Sequence, residues 1–228
     1  MKIMIITHAK FEKLGSIQIW AKRNAHTLLE VFPFKGETLP DINSFDMLII
    51  MGGPQSACKL DEAPYLLKEI EYIKQAIKTH KKIIGVCLGA QLLGAAFGAQ
   101  AEKSPNKEIG VFPIELLPAA KEDPVFKEFP TTFDVTHWHG DMPGIPKEGV
   151  LLAKSAGCPR QIFRVGDRMY GFQCHFELTK ELIEGMVEHC PDDLIAGKFI
   201  RSKEHLLGSN YSEINSKMDA VLDYLANL

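Results

Sequence analysis

The chain has 228 residues, 46% of them apolar and 24% charged, a composition that suits one folded domain with a sizeable core. A formal charge of −3 and a pI near 6.2 leave no basic excess, so nucleic acid and anionic membranes are not expected partners. Five cysteines, at positions 58, 87, 158, 174 and 190, follow neither metal-site nor disulfide spacing, which fits a reducing, cytoplasmic compartment.

The N-terminal Met-Lys-Ile-Met-Ile-Ile is too short an apolar run for a secretory signal and has no small-residue cleavage site. KIMIIT (2–7), FDMLIIM (45–51) and KIIGV (82–86) are apolar without alternation, the pattern of parallel strands covered on both faces. A helix is predicted from about Ser16, carrying Ile17, Trp20 and Ala21. A stronger one over 63–79 places Leu66, Ile70, Ile73 and Ile77 at spacings of three and four. Residues 83–99, IIGVCLGAQLLGAAFGA, fall short of the roughly 20 apolar residues of a membrane span. With four glycines and Gln91 they read as a buried strand turning into a buried helix. Strands alternating with helices predict an α/β sheet covered on both faces. Lys103–Gly110 reads equally as a polar loop on the active-site side or as a bland connection. Beyond it, VFPIELL, FDVTHWH, VLLAKS, RQIFRV and MYGFQCHF predict antiparallel or edge strands. From 179 onward the chain reads as three helical stretches, 179–190, 192–200 and 211–228, the last with Ile214, Met218, Val221, Leu222 and Leu225 on one side. No linker divides the chain.

The chemistry concentrates in two places. Cys87 stands at a predicted strand-to-helix turn with Gly85 and Gly89 two residues to either side, where a pinched backbone needs small neighbours. Such a turn lifts the sulfur towards a ligand and sets it at a helix N-terminus, which favours a thiolate. It also leaves the Leu88 N–H available to an oxyanion. Taken alone, the pattern equally describes an inert buried cysteine. The second place is Gly171-Phe-Gln-Cys-His-Phe-Glu177. In a strand, His175 and Glu177 share a face and Cys174 points the other way. A base oriented by a carboxylate is what an activated thiol requires.

GVCLGAQ (85–91) resembles the nucleophile motif Gly-x-Cys-x-Gly-x-Gln of the triad-type, class I glutamine amidotransferases, and FQCHFE (172–177) their Gln-x-His-Pro-Glu motif. MGGP (51–54) resembles their glycine turn with a second oxyanion donor. HWHGD (137–141) resembles the loop over bound glutamine in stand-alone members and in the amidotransferase domain of GMP synthetase. The four motifs stand in family order. The resemblance implies a flavodoxin-like three-layer sandwich over 1–190, with 191–228 as a C-terminal helical extension. It implies Cys87, His175 and Glu177 as a catalytic triad, with Gly53 and Leu88 as the oxyanion hole. Gly52, Gln91, Trp138, His139, Gly140 and Asp141 would contact substrate. It implies no cofactor and no metal, and a separate synthetase as recipient of ammonia, since nothing in the chain resembles a synthetase domain. Phe176 stands where the family usually has proline. A γ-glutamyl hydrolase acting on a peptide or conjugate, and a non-catalytic module on the same fold, are the alternatives.

The remaining signals read as structural. His137 and His139 would need further ligands to hold a metal. The Gly52-Gly53 turn is a weak phosphate signal, Arg160 and Arg164 are expected to face solvent, and His8 and His26 have no partner legible in the sequence.

Overall fold

The computed structural model describes residues 1–9 and 13–228. The strands are β1 (Lys2–Ile6), β2 (Thr27–Val31), β3 (Met47–Ile50), β4 (Lys82–Val86), β5 (Glu102–Leu116), β6 (Thr132–Met142), β7 (Gly149–Ser155), β8 (Ile162–Val165) and β9 (Met169–Phe172). They form one mixed sheet in the order β2-β1-β3-β4-β9-β8-β7-β5-β6. From β2 to β9 neighbouring strands run parallel, and from β9 to β6 they run antiparallel. The helices are α1 (Ser16–Arg23), α2 (Tyr65–Lys78), α3 (Leu88–Ala96), α4 (Lys180–His189), α5 (Lys203–Gly208) and α6 (Ser212–Ala226). None is long and apolar enough to cross a membrane.

The unbroken apolar runs are explained by the two layers they separate. Ile3 and Ile5 of β1, with Met47 and Ile49 of β3, join a core containing Ile17 and Trp20 of α1 and Met218 and Leu222 of α6. The alternate residues Met4, Ile6, Leu48 and Ile50 join a second core with Leu66 and Ile73 of α2 and Leu92 and Leu93 of α3. A strand buried on both faces has no polar side to show. Trp20 Nε1 donates to Asp223 Oδ1 at 2.7 Å, tying α1 to α6 across nearly the whole chain.

Thr27–Val31 is a strand for which the sequence carried no expectation, its outer residues being largely exposed. Three expectations are corrected. Lys103–Gly110 is the first half of β5, its polar side chains belonging to a strand with a register irregularity between Lys103 and Glu108. Residues 192–200 are not helical: after a short 3₁₀ turn (Pro191–Leu194) the chain extends, and Ile109 N–H donates to Phe199 O while Arg201 N–H donates to Ile109 O, both at 2.8 Å. Gly197 and neighbouring backbone pairing outweigh the local helical pattern. The arginines find protein partners: Arg164 pairs with the buried Asp123 carboxylate at 2.7 Å, and Arg160 with Glu102 at 3.2 Å and the Pro143 carbonyl at 3.1 Å.

Two glycines set how closely α3 approaches the sheet. A Cβ on Gly89 would collide with the Ile50 carbonyl of β3, and one on Gly85 with the Gly89 carbonyl. Gly89→Ala should therefore cost about 1–3 kcal/mol of stability through overpacking. Gly185→Ala in α4, where a Cβ would meet nothing within 4 Å, should be neutral or stabilising by up to about 1 kcal/mol. Urea unfolding of both variants checks this; equal stabilities would refute the close-approach account.

Candidate active site

Cys87 follows β4 and caps α3 with φ 51° and ψ −108°. A non-glycine residue there carries backbone strain, of order 1–3 kcal/mol in such regions. The surroundings enforce it: Cys87 N–H donates to Phe172 O at 2.7 Å, and the Cys87 carbonyl accepts from Ala90 at 3.0 Å and Gln91 at 3.2 Å. The side chain is thereby pushed out at the carboxyl end of the parallel strands, where open α/β sheets bind ligands. Leu88 opens α3, so its N–H has no partner within the helix. The Gly52-Gly53 turn after β3 packs against it. A Cβ on Gly53 would lie 3.1 Å from Leu88 Cδ2 and 2.5 Å from His8 Cβ. His8, buried, braces this turn from behind: Nδ1 bonds the Gly52 carbonyl at 3.0 Å and Nε2 the Glu69 carboxylate of α2 at 2.8 Å. The sequence held no hint of that pairing, because the partners are 61 residues apart.

The His175 segment reaches the same place by a route that differs from the expected one. β9 ends at Phe172, and residues 173–178 bend rather than continue the strand. His175 instead makes an antiparallel bridge with Thr136 of β6 (2.8 and 3.3 Å). Asn215 of α6 donates to the carbonyls of Phe176 (2.7 Å) and Leu178 (3.0 Å), and Ser16 N–H donates to Glu177 O (2.9 Å). The bend still brings His175 Nδ1–H to Glu177 Oε1 at 2.7 Å. Phe176 fills the core against Phe172 and Phe133. Cys174 is turned away, fully buried, its thiol pushed well above the ordinary value by desolvation.

A cleft of about 400 Å³ is lined by Cys87, His175, Gly53, Leu88, Gln91, Trp138, His139, Gly140 and Asp141. All of these belong to the set singled out in the sequence. Glu177 lies behind His175, and Gly52 turns its carbonyl to His8, so neither lines the cleft. Lys103 and Lys107 of the polar 103–110 segment also line it, as do Ser56 and Asp193, which carry no sequence signal. Asp141 accepts from Ser56 Oγ (2.5 Å) and Lys103 Nζ (2.6 Å). Asp193 accepts from Trp138 Nε1 (2.9 Å) and Lys107 Nζ (2.5 Å).

Behind the His137–Asp141 ledge lies a second buried carboxylate. Glu108 accepts from Ser155 Oγ (2.8 Å) and Gln161 Nε2 (2.7 Å) and faces His139 Nε2 (3.2 Å) and His137 Nδ1 (3.6 Å). Burial works against its ionised form, but His139, His137 and Ser155 together hold the carboxyl below its usual range. Burial pushes the His137 imidazole down to about 3, so that ring is neutral, despite the opposing pull of Glu108. His139 Nδ1–H donates to the Asp141 carbonyl (2.9 Å) and shapes the ledge. Gly157 permits the arrangement, since a Cβ there would come within 2.5 Å of Glu108 Oε1. Glu108, His137 and His139 are the described residues whose donor atoms converge as metal ligands would, within 4.8 Å of one another; Ser155 and Gln161 already satisfy the carboxylate with protein donors.

Burial disfavours the charged form of His175, but the Glu177 carboxylate and the Cys87 sulfur outweigh it, holding the imidazole well above its ordinary value. His175 Nε2 has no hydrogen-bond partner among the described residues. A strained thiol at a helix N-terminus and an imidazole oriented by a carboxylate share one cleft, an arrangement that suits nucleophilic attack on a carbonyl carbon.

Residues 16–187 match the family Glutamine amidotransferase class-I. A glutamine amidotransferase-like protein of Salmonella typhimurium is 40% identical over 232 residues, covering 99% of this chain and 97% of its own. The crystal structure of a glutamine amido transferase from Methylobacillus flagellatus superposes with a TM-score of 0.92 at 25% identity, covering 99% of this chain and 94% of its own. Gamma-glutamyl peptidase 3 of Arabidopsis thaliana is 25% identical over 156 residues, 65% of this chain and 61% of its own.

The raised His175 value has a consequence for stability. With a folded value above the unfolded one of about 6.5, the stabilisation from this pairing is complete below that pH and is lost as pH rises through the raised value. Glu177→Gln removes the main charge that holds the imidazolium. In the variant, His175 should titrate at lower pH by imidazole NMR, and the wild type's stability advantage should shrink as pH rises above about 6.5. An unchanged titration would mean that Glu177 does not hold the proton.

Proposed function

The chain belongs to the class I glutamine amidotransferase family, and from that premise we propose that it hydrolyses the side-chain amide of glutamine through a γ-glutamyl thioester on Cys87. The observation that carries this reading is the meeting of Cys87, His175 and the Gly53–Leu88 backbone in one cleft, with Glu177 bonded to the far side of the imidazole.

In the proposed cycle the Cys87 thiolate attacks the amide carbon. The tetrahedral oxyanion is held by the N–H groups of Leu88 and Gly53; loss of one such donor typically costs about 10²–10³-fold in rate. The His175 imidazolium gives its Nε2 proton to the nitrogen as the C–N bond breaks, so ammonia leaves and the thioester remains. His175, now neutral, takes a proton from water as the water attacks the thioester carbon. Glutamate departs and the thiolate returns. General acid–base assistance of this kind contributes about 10²–10⁴-fold. Glu177 fixes the tautomer and supports the imidazolium throughout. Gln91 and the Trp138–Asp141 ledge would grip the amino-acid end of the substrate. We assign 1–190 as the catalytic unit and 191–228 as its extension, with ammonia passing to a separate acceptor enzyme.

A second reading keeps the chemistry and changes the leaving group: a γ-glutamyl peptide or conjugate instead of glutamine. The likeness to the Arabidopsis gamma-glutamyl peptidase favours it.

Purified protein incubated with glutamine should release glutamate, and Cys87→Ala should abolish the release without loss of folding. Values of kcat/KM on glutamine and on γ-glutamyl amides then separate the two readings: a strong preference for free glutamine sinks the second, and a strong preference for the conjugates sinks the first. Turnover of neither compound by well-folded protein would support a non-catalytic module instead.

A further inference from the structure

The triad leaves one polar contact of the nucleophile unexplained. Besides the His175 imidazole, which it helps to hold protonated, the sulfur of Cys87 meets the Trp138 carbonyl at 3.9 Å and the side-chain amide of Gln173, whose Nε2 lies 3.4 Å from Sγ. The second is the better hydrogen bond, and it comes from a residue outside the cleft lining. Gln173 is fully buried, its backbone N–H bonded to Gln161 O at 2.8 Å. Fully buried and absent from the cleft lining, it reaches the sulfur from within the protein. Its carboxamide is itself held: Gln91 Nε2 donates to Gln173 Oε1 at 3.0 Å. With its oxygen committed to Gln91, Gln173 presents N–H to the sulfur. A thiolate has no proton to offer, so this is the orientation compatible with an ionised nucleophile. The same bond leaves Gln91 Oε1 buried without a partner, on a residue that lines the cleft.

We propose that Gln173 is the positioning residue of the Cys87 sulfur, clamped by Gln91 and donating to Sγ so that the thiolate is fixed facing the cleft beside the His175 imidazole. The proposal rests on the reading of Cys87 as the nucleophile. It separates two tasks in one short bend: Gln173 holds the sulfur, and His175 with Glu177 handles the proton. A hydrogen bond to a charged acceptor is worth about ten-fold or more in an equilibrium or rate, so its removal is measurable.

Gln173→Leu keeps roughly the same bulk and loses the donor. Gln173→Glu keeps the shape and at neutral pH offers the sulfur a carboxylate oxygen. Alkylation by iodoacetamide, followed residue by residue by mass spectrometry, reads the sulfur without requiring turnover, and the exposed Cys58 serves as the internal reference. In Gln173→Leu the alkylation rate of Cys87 at pH 7 should fall about ten-fold while Cys58 is unaffected, and kcat for the preferred substrate should fall by a similar factor with KM within about two-fold. In Gln173→Glu the loss should be larger at pH 7 and partly recovered in acid, where the protonated carboxyl donates again. A structural role would not produce that pH-dependent recovery. Should either variant fold poorly, the wild-type protein gives the answer by NMR: the Gln173 side-chain N–H resonances should shift when Cys87 is alkylated. Unchanged Cys87 reactivity in a well-folded Gln173→Leu, or side-chain resonances indifferent to alkylation, would overturn the proposal. Because alkylation is independent of substrate, a wild type that hydrolyses neither glutamine nor γ-glutamyl amides would remove the proposed reaction and leave the Gln173–Cys87 contact to be judged by these readouts.

Discussion

The pinched turn between β4 and α3 is the constraint around which the rest is arranged. Cys87 sits at positive φ because the chain must leave the sheet and enter a helix within a single residue, and Gly85 and Gly89 let helix and strand approach to backbone contact. β4 lies between β3 and β9 in the sheet, with all three parallel. The turn after β3 and the bend after β9 therefore emerge on the same edge as Cys87. Strand order thus brings the Gly53 and His175 segments to the edge of the sheet that carries the sulfur.

Buried carboxylates then hold the delivered segments still. Glu69 pins the glycine turn through His8, Glu177 pins His175 directly, and Glu108 pins the ledge through His139. Each sits next to a histidine at or below about 5% exposure, where an unpaired charge would be costly. The repetition has a physical reason. A loop fixed by apolar packing alone retains rotational freedom, whereas a short charge-assisted contact in a low-dielectric interior has one good geometry. The site is thus supported from three directions by carboxylates that do not themselves line the cleft.

The antiparallel half of the sheet and the chain beyond residue 187 complete the cleft. β5 and β6 carry Lys103, Lys107 and the ledge, and the Pro191–Leu194 turn contributes Asp193 across to Trp138. The extended stretch after it pairs with β5 at Ile109, which fixes that turn against the sheet. Part of the pocket wall therefore comes from residues outside the family match, and the outer rim differs in origin from the floor around Cys87.

Elements with local signals were legible in the amino-acid sequence alone. The unbroken apolar runs of β1, β3 and β4 reveal strands buried on both faces, and the glycines flanking Cys87 announce the turn, because backbone crowding must be met at those very positions. The four ordered motifs carried the family. Other features depended on contacts between distant residues and had no local trace. His175 and Glu177 meet through a bend held by Thr136 and Asn215, not through strand alternation. The roles of Glu108, Gln161 and Ser155 appear only once β5, β7 and the approach to β8 lie side by side. Residues 192–200 look helical in isolation, yet Ile109 offers them backbone hydrogen bonds that a helix there would forgo. Local propensity is worth tenths of a kcal/mol per residue, while a paired backbone segment and a satisfied buried charge are each worth more. Where those stronger interactions came from residues far away in the chain, the outcome was set by packing in three dimensions and not by the local pattern.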